Sequence, residues 1–84
     1  MSRNDELQQR VLSGRSDANI HFDDLRSLLL RLGFAERTRG SHHIFRKNGV
    51  RELINIQRDG NHAKPYQVRQ VRQVILRYHL EMGD

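Results

Sequence analysis

The chain has 84 residues, enough for one domain with a modest core. It contains no cysteine, which excludes a disulfide framework and a thiolate metal site. Fifteen Lys and Arg against ten Asp and Glu give a formal net charge of +5. That balance favours an anionic partner, either nucleic acid or an acidic protein surface, and is equally compatible with a merely soluble basic domain. Arginine dominates over lysine and suits bidentate phosphate contacts. The N-terminus is polar and no apolar run is long enough for a signal or membrane segment, so the expectation is a cytoplasmic protein without a membrane partner.

Residues 1–13 read as a short helix with a thin apolar stripe of Leu7, Val11 and Leu12, stopped by Gly14. A helix this short is marginal by itself in water and must pack on the domain or on a partner. Residues 14–19 are turn residues and read as a loop. In residues 22–32, Phe22, Leu25, Leu28, Leu29 and Leu32 fall on one helical face. Asp23 and Asp24 complement the helix dipole there, and Gly33 supplies the stop.

Residues 34–38 read as a strand, followed by a turn at Gly40 and a second strand at 42–47. Asn48-Gly49 is a two-residue hairpin signal leading into a third strand at 51–57. On that strand Ile54 and Ile56 share one face, and Asn55 and Gln57 the other. Residues 58–64 read as a polar loop. Pro65 opens a final helix, 66–80, with Val68, Val71, Val74, Ile75 and Tyr78 inward and Arg69, Arg72 and Arg77 outward. The tail Glu81–Asp84 is expected to fray. This order predicts an α+β two-layer sandwich whose α-β-β-β-α core has the element order of the double-stranded-RNA-binding domain, with an extra N-terminal helix.

Arg39-Gly40-Ser41-His42-His43-Ile44-Phe45 holds the best residues for chemistry, because histidine exchanges protons near neutral pH. Adjacent strand residues face opposite ways, so one histidine points inward and the other to solvent. If Phe45 packs inward, His42 points out; if Ile44 does, His43 points out. Periodicity alone leaves both open. An exposed histidine near Arg39 and Arg46 would suit an RNA 2′-hydroxyl, while two ordinary strand histidines fit the pattern as well. Gly40-Ser41 offers backbone amides to a phosphate or is simply a tight turn. Lys64 lies at a helix N-terminus, where phosphate is attracted, or is a solvated loop residue. Arg69 and Arg72 are helical neighbours on an expected outer face. The histidines show no metal-ligand spacing, so no metal site is expected.

Taken together these residues resemble a known family. Gly40-Ser41-His42-His43-Ile44-Phe45 is similar to the glycine-[Gly/Ser]-His-x-x-aromatic motif of HicA toxins, the RNA-cleaving members of HicA–HicB toxin–antitoxin pairs. Leu29-x-x-Leu32-Gly33-Phe34, Ile54-Asn55-Ile56-Gln57, Asp59-Gly60 and Lys64-Pro65-Tyr66-Gln67-Val68 extend the resemblance over about residues 20–80. It implies a double-stranded-RNA-binding-domain-like fold and a ribosome-independent mRNA endoribonuclease (an mRNA interferase) needing neither metal nor cofactor. It further implies His42 as the catalytic residue and a HicB-like antitoxin as partner.

On this resemblance residues 20–84 form the RNA-cleaving domain and residues 1–19 an extension preceding the point where the shortest members begin. Gly40, Ser41 and His43 are then the active-site support, and Arg39, Arg46, Lys64, Arg69 and Arg72 the RNA contacts. The rival expectations are a non-catalytic RNA-binding module of the same fold and an interaction protein whose basic helix docks an acidic partner.

Overall fold

Two apolar helical faces and one apolar sheet face meet in a single core. The structure, a computed structural model, describes residues 3–81. The first two residues of the expected helix 1–13, and the expected frayed tail beyond Glu81, lie outside the described residues. In chain order the elements are α1 (Arg3–Ser13), a 3₁₀ turn (Asp17–Asn19), α2 (Phe22–Arg31), β1 (Ala35–Arg39), β2 (His42–Arg46), β3 (Ile54–Ile56), β4 (Arg58–Asp59), β5 (His62–Ala63) and α3 (Pro65–Tyr78). The fold is α+β, with an antiparallel β1-β2-β3 sheet and a separate two-stranded β4-β5 ribbon. Its order of elements is that of a double-stranded-RNA-binding-domain-like α-β-β-β-α sandwich preceded by one helix. None of the helices is long and apolar enough to cross a membrane, among the described residues.

The helices form where the 3.6-residue stripes lie. Phe22, Leu25, Leu28 and Leu29 of α2 and Val68, Val71, Val74 and Ile75 of α3 are buried. Phe45, Ile54 and Ile56 meet them from the sheet, each fully buried. Leu7 and Val11 join the same core, so α1 packs on the domain against α2 and α3. α3 ends at Tyr78, the last residue of its apolar stripe and two residues short of the expected end at residue 80. His79 takes the left-handed conformation (φ 51°) that a glycine usually supplies, and the Leu80 N–H closes the helix on the Ile75 carbonyl.

Two expectations about loops are corrected. Asn48-Gly49 does form a turn, closed by the Val50 N–H on the Lys47 carbonyl, but it does not join the strands directly. β3 starts only at Ile54, which pairs with Phe45. A two-residue hairpin at Asn48-Gly49 would have set Glu52 opposite Phe45 on the inward face. The observed register puts Ile54 and Ile56 there, and burying two isoleucines outweighs a shorter loop. Glu52 instead accepts a 2.6 Å bond from the Tyr78 hydroxyl and a 3.2 Å contact from Arg77. The Tyr78 bond holds its carboxyl below the usual range.

The second correction concerns residues 58–64, which are a tight β-ribbon rather than a polar loop. The β4–β5 turn is Gly60-Asn61, with a positive φ at Gly60. Backbone bonds from Ala63 to the Ile20 carbonyl and from Phe22 to the Asn61 carbonyl dock the ribbon on the entry to α2. Backbone pairing of this kind leaves no apolar signal in a polar sequence.

Two polar braces hold the layers. Glu36, on β1, receives the Arg26 side chain of α2 at 2.7–2.9 Å on both oxygens. This bidentate contact is the main reason its carboxyl sits below the usual range. Arg72, on α3, donates to the Val11 carbonyl at 3.2 Å and to Asp17 at 2.9 Å, tying α1 and the 3₁₀ turn to α3. Both members of that ion pair are mostly buried.

These braces carry two expected outcomes. Arg72→Ala should destabilise the fold by about 1.5–3 kcal/mol, the range for a hydrogen-bonded charged group, seen as a lower midpoint in urea. A midpoint unchanged from wild type would contradict the brace. The depressed Glu36 carboxyl contributes stability that is present above its unfolded-state pKa and is lost as pH falls through the lower folded value. Glu36→Gln should therefore lower Tm at neutral pH and flatten the acid limb of a Tm-versus-pH curve; an acid limb like that of wild type would refute the assignment.

Candidate active site

The β1–β2 hairpin places the histidines. Arg39 pairs with His42 across a two-residue loop, Gly40-Ser41. Gly40 has φ 60° and Ser41 does not share the positive φ, the pattern of a type II′ turn with glycine at its first position. A Cβ on Gly40 would meet nothing within 4 Å, so the glycine is required by its dihedral and not by crowding. From this turn β2 alternates: Phe45 is buried, so His43 shares its inward face and His42 points outward.

His42 is exposed. Its Nδ1 lies 3.0 Å from Nδ2 and 3.3 Å from Oδ1 of Asn55, so one amide engages a single ring nitrogen. Nε2 is left without a hydrogen-bond partner among the described residues. Asn55 faces outward because its neighbours Ile54 and Ile56 are buried. Beside this pair, Ser41 Oγ accepts from the Gln57 side chain at 3.3 Å, and Lys64 Nζ donates to Gln57 Oε1 at 3.4 Å. The Gln57 backbone N–H donates to Oε1 of Gln67, a buried glutamine whose amide donates to the Tyr66 hydroxyl. The hairpin turn, the exit of β3 and the start of α3 thus converge on His42.

Of the residues singled out from the sequence, His42, Arg39, Gly40, Ser41 and Lys64 lie in this region. Arg46 shares the outward face but sits four residues along β2, about 13 Å away at ordinary strand rise. His43 is on the opposite face, its Nδ1 2.8 Å from Glu36 and its ring edge-on to Phe22 at 4.8 Å. Arg69 is exposed on α3 without a contact to the cluster. Arg72, expected on an outer face, is turned toward α1 and held by Asp17, because that position of α3 faces α1 and the 3₁₀ turn. Its guanidinium is engaged and mostly buried.

Asn55 and Arg37 were not among the residues picked out from the sequence. The strand alternation contained both: Arg37 is two residues from Arg39, and Asn55 lies between two inward isoleucines. The missing information was the register that brings Asn55 to His42. Arg37, Arg39 and Arg46 all point outward, and none shares an ion pair among the described residues. No three His, Asp or Glu side chains gather into a potential metal site among the described residues.

An exposed imidazole held at one nitrogen, beside unpaired guanidiniums, can take a proton from an anionic substrate. No curated protein and no solved structure matches the chain. The family model described as the HicA toxin of bacterial toxin–antitoxin systems matches residues 22–77, from the first residue of α2 to the penultimate residue of α3, and so spans the entire sheet and the His42 cluster. The chain therefore belongs to the HicA toxin family.

Proposed function

We propose that this toxin is an mRNA endoribonuclease that uses His42 and no metal ion, acts in the cytoplasm and is neutralised by a HicB-like antitoxin. The observation that carries this reading is His42 itself: outward on an arginine-bearing sheet face, fixed by Asn55 at Nδ1 and open at Nε2. In the proposed reaction Nε2 takes the proton of an RNA 2′-hydroxyl. The 2′ oxygen attacks the adjacent phosphorus, the bond to the 5′ oxygen breaks, and water protonates the leaving oxygen. The products are a 2′,3′-cyclic phosphate and a 5′-hydroxyl, and His42 returns its proton to solvent. General base help of this kind is worth about two to four orders of magnitude. Arg39, the cross-strand partner of His42, and Lys64, bonded to Gln57, supply positive charge for the phosphate.

Asn55 acts as a positioning residue, holding the ring edge that does not meet substrate. Ser41, Gln57 and Gln67 hold the turn and the start of α3 around it. His43, braced by Glu36 and Phe22 on the inward face, supports the strand from behind. Neither a second histidine nor a carboxylate contacts His42 among the described residues, so the reading is of a slow enzyme. Slow turnover suffices where each cut disables a message.

The purified chain should cleave mRNA in excess EDTA. His42→Ala, purified identically, should lose about a hundredfold or more of that activity. Cleavage at equal rates by both would overturn the assignment. Asn55→Ala should lose about five- to tenfold in rate, the worth of one hydrogen bond, with RNA affinity unchanged; a loss of affinity with rate intact would make Asn55 a binding residue instead. RNA binding that weakens with salt and never leads to cleavage would identify the non-catalytic module.

A further inference from the structure

The outward sheet face holds an open groove of about 490 Å³ lined by Arg37, Thr38, Arg39, Ile44, Arg46 and Leu53. It lies along the strands from His42. Arg37, Ile44 and Asn55 form one cross-strand row; Arg39 and His42 form the next, and Ala35 and Arg46 the row on the other side. Rows on one face are two residues apart, about 6.6–6.8 Å along the strand. That step is comparable to the distance between successive phosphates of an extended nucleic-acid strand.

The lining is of two kinds. Leu53 is 61% exposed and lines the groove with the half-buried Ile44, giving it an apolar floor. Around it stand three guanidiniums without an ion pair among the described residues, and the outward positions of the three strands carry no acidic residue. A purely anionic ligand would leave the floor wet. An apolar peptide would leave three cations unmatched. A nucleotide offers both complements at once, a flat apolar face and a phosphate, and arginine planes themselves stack on bases.

We infer that this groove is a nucleotide subsite, which holds an unpaired nucleotide next to the bond presented to His42. Its base rests on Leu53 and Ile44, and its phosphates meet Arg37 and Arg46. The position relative to the cleaved bond rests on the ribonuclease proposed above; the groove's affinity for unpaired RNA does not. A duplex keeps its base faces stacked inside and shows proteins mainly phosphates, sugars and groove edges. It would therefore satisfy the arginines and leave the apolar floor without a partner. The 2′-hydroxyl attack asks for the same thing, because the strand must leave helical geometry to bring that oxygen in line with the leaving group. Although the order of elements is that of a double-stranded-RNA reader, this face is built for a single strand.

The test is fluorescence anisotropy with a labelled 2′-O-methyl oligoribonucleotide, which cannot be cleaved, offered alone or annealed to its complement. Wild type should bind the single strand more tightly than the duplex. Leu53→Ala should weaken single-strand binding about three- to tenfold, as loss of an apolar contact does, with an unchanged salt dependence. Arg37→Ala should weaken it and also reduce the slope of log K against log salt by about 0.7, the value for one phosphate contact on a single strand. Both side chains are exposed, and thermal melts should show both variants folded.

Equal binding of duplex and single strand would overturn the subsite, as would wild-type affinity in both variants. Retained RNA affinity with loss of binding to a co-expressed antitoxin would overturn it too, and would make the face a protein-docking surface. If wild type fails to cleave any RNA while the predicted binding pattern holds, the ribonuclease reading falls and the subsite stands.

Discussion

The Phe45–Ile54 pair settles which way His42 points. Strand side chains alternate, so a one-residue slip of β2 would bury His42 and expose Phe45. Fully burying an aromatic and a branched aliphatic side chain is worth about 1.5–3 kcal/mol each. The hydrogen bond between His42 and Asn55 is worth about 1 kcal/mol. The apolar pair therefore sets the register and the polar site follows from it. A two-residue slip would keep the faces but put Glu52 where Ile54 belongs, and the carboxylate instead finds Tyr78 and Arg77 at the edge of the sheet.

Adjacent histidines consequently have different surroundings. His43 is enclosed by Glu36, Phe22 and the neighbouring strands, a position suited to holding α2 on the sheet. His42 has solvent on one side and a neutral amide on the other. α3 connects this region with the opposite side of the molecule. Its N-cap Lys64 and first-turn Gln67 reach the exit of β3, and further along the helix Arg72 anchors α1 and the 3₁₀ turn. α1 is thus attached to the same helix that reaches the candidate site.

The regular parts of this architecture were legible in the amino-acid order. The stripes of α2 and α3, the Gly33 stop and the alternation around Ile54 and Ile56 are local patterns, and local patterns survive folding. Segment 58–64 was not legible, because its ribbon is held by backbone bonds to Ile20 and Phe22 that carry no side-chain signature. Asn48-Gly49 was read correctly as a turn and incorrectly as a strand-to-strand connection, since the deciding quantity was the burial of Ile54 against Phe45. Arg72 looked like a surface cation by helical spacing. Its partner Asp17 lies 55 residues away, and no spacing rule reaches that far. His42 stood out through its motif, whereas Asn55 required the register.

The distribution of ion pairs also shapes how the molecule meets a polyanion. Arg26, Arg58, Arg72 and Arg77 have carboxylates at 2.7–3.2 Å, whereas the outward strand positions have guanidiniums and no acid. The outward sheet face thus carries uncompensated positive charge, and its local field exerts a torque on a polyanion as well as an attraction. Within roughly 8 Å at physiological ionic strength, an approaching polyanion turns the domain before contact, so that a larger share of collisions arrive sheet-first. For a protein with a small site, that bias raises the productive fraction of encounters without any additional contact at the site itself.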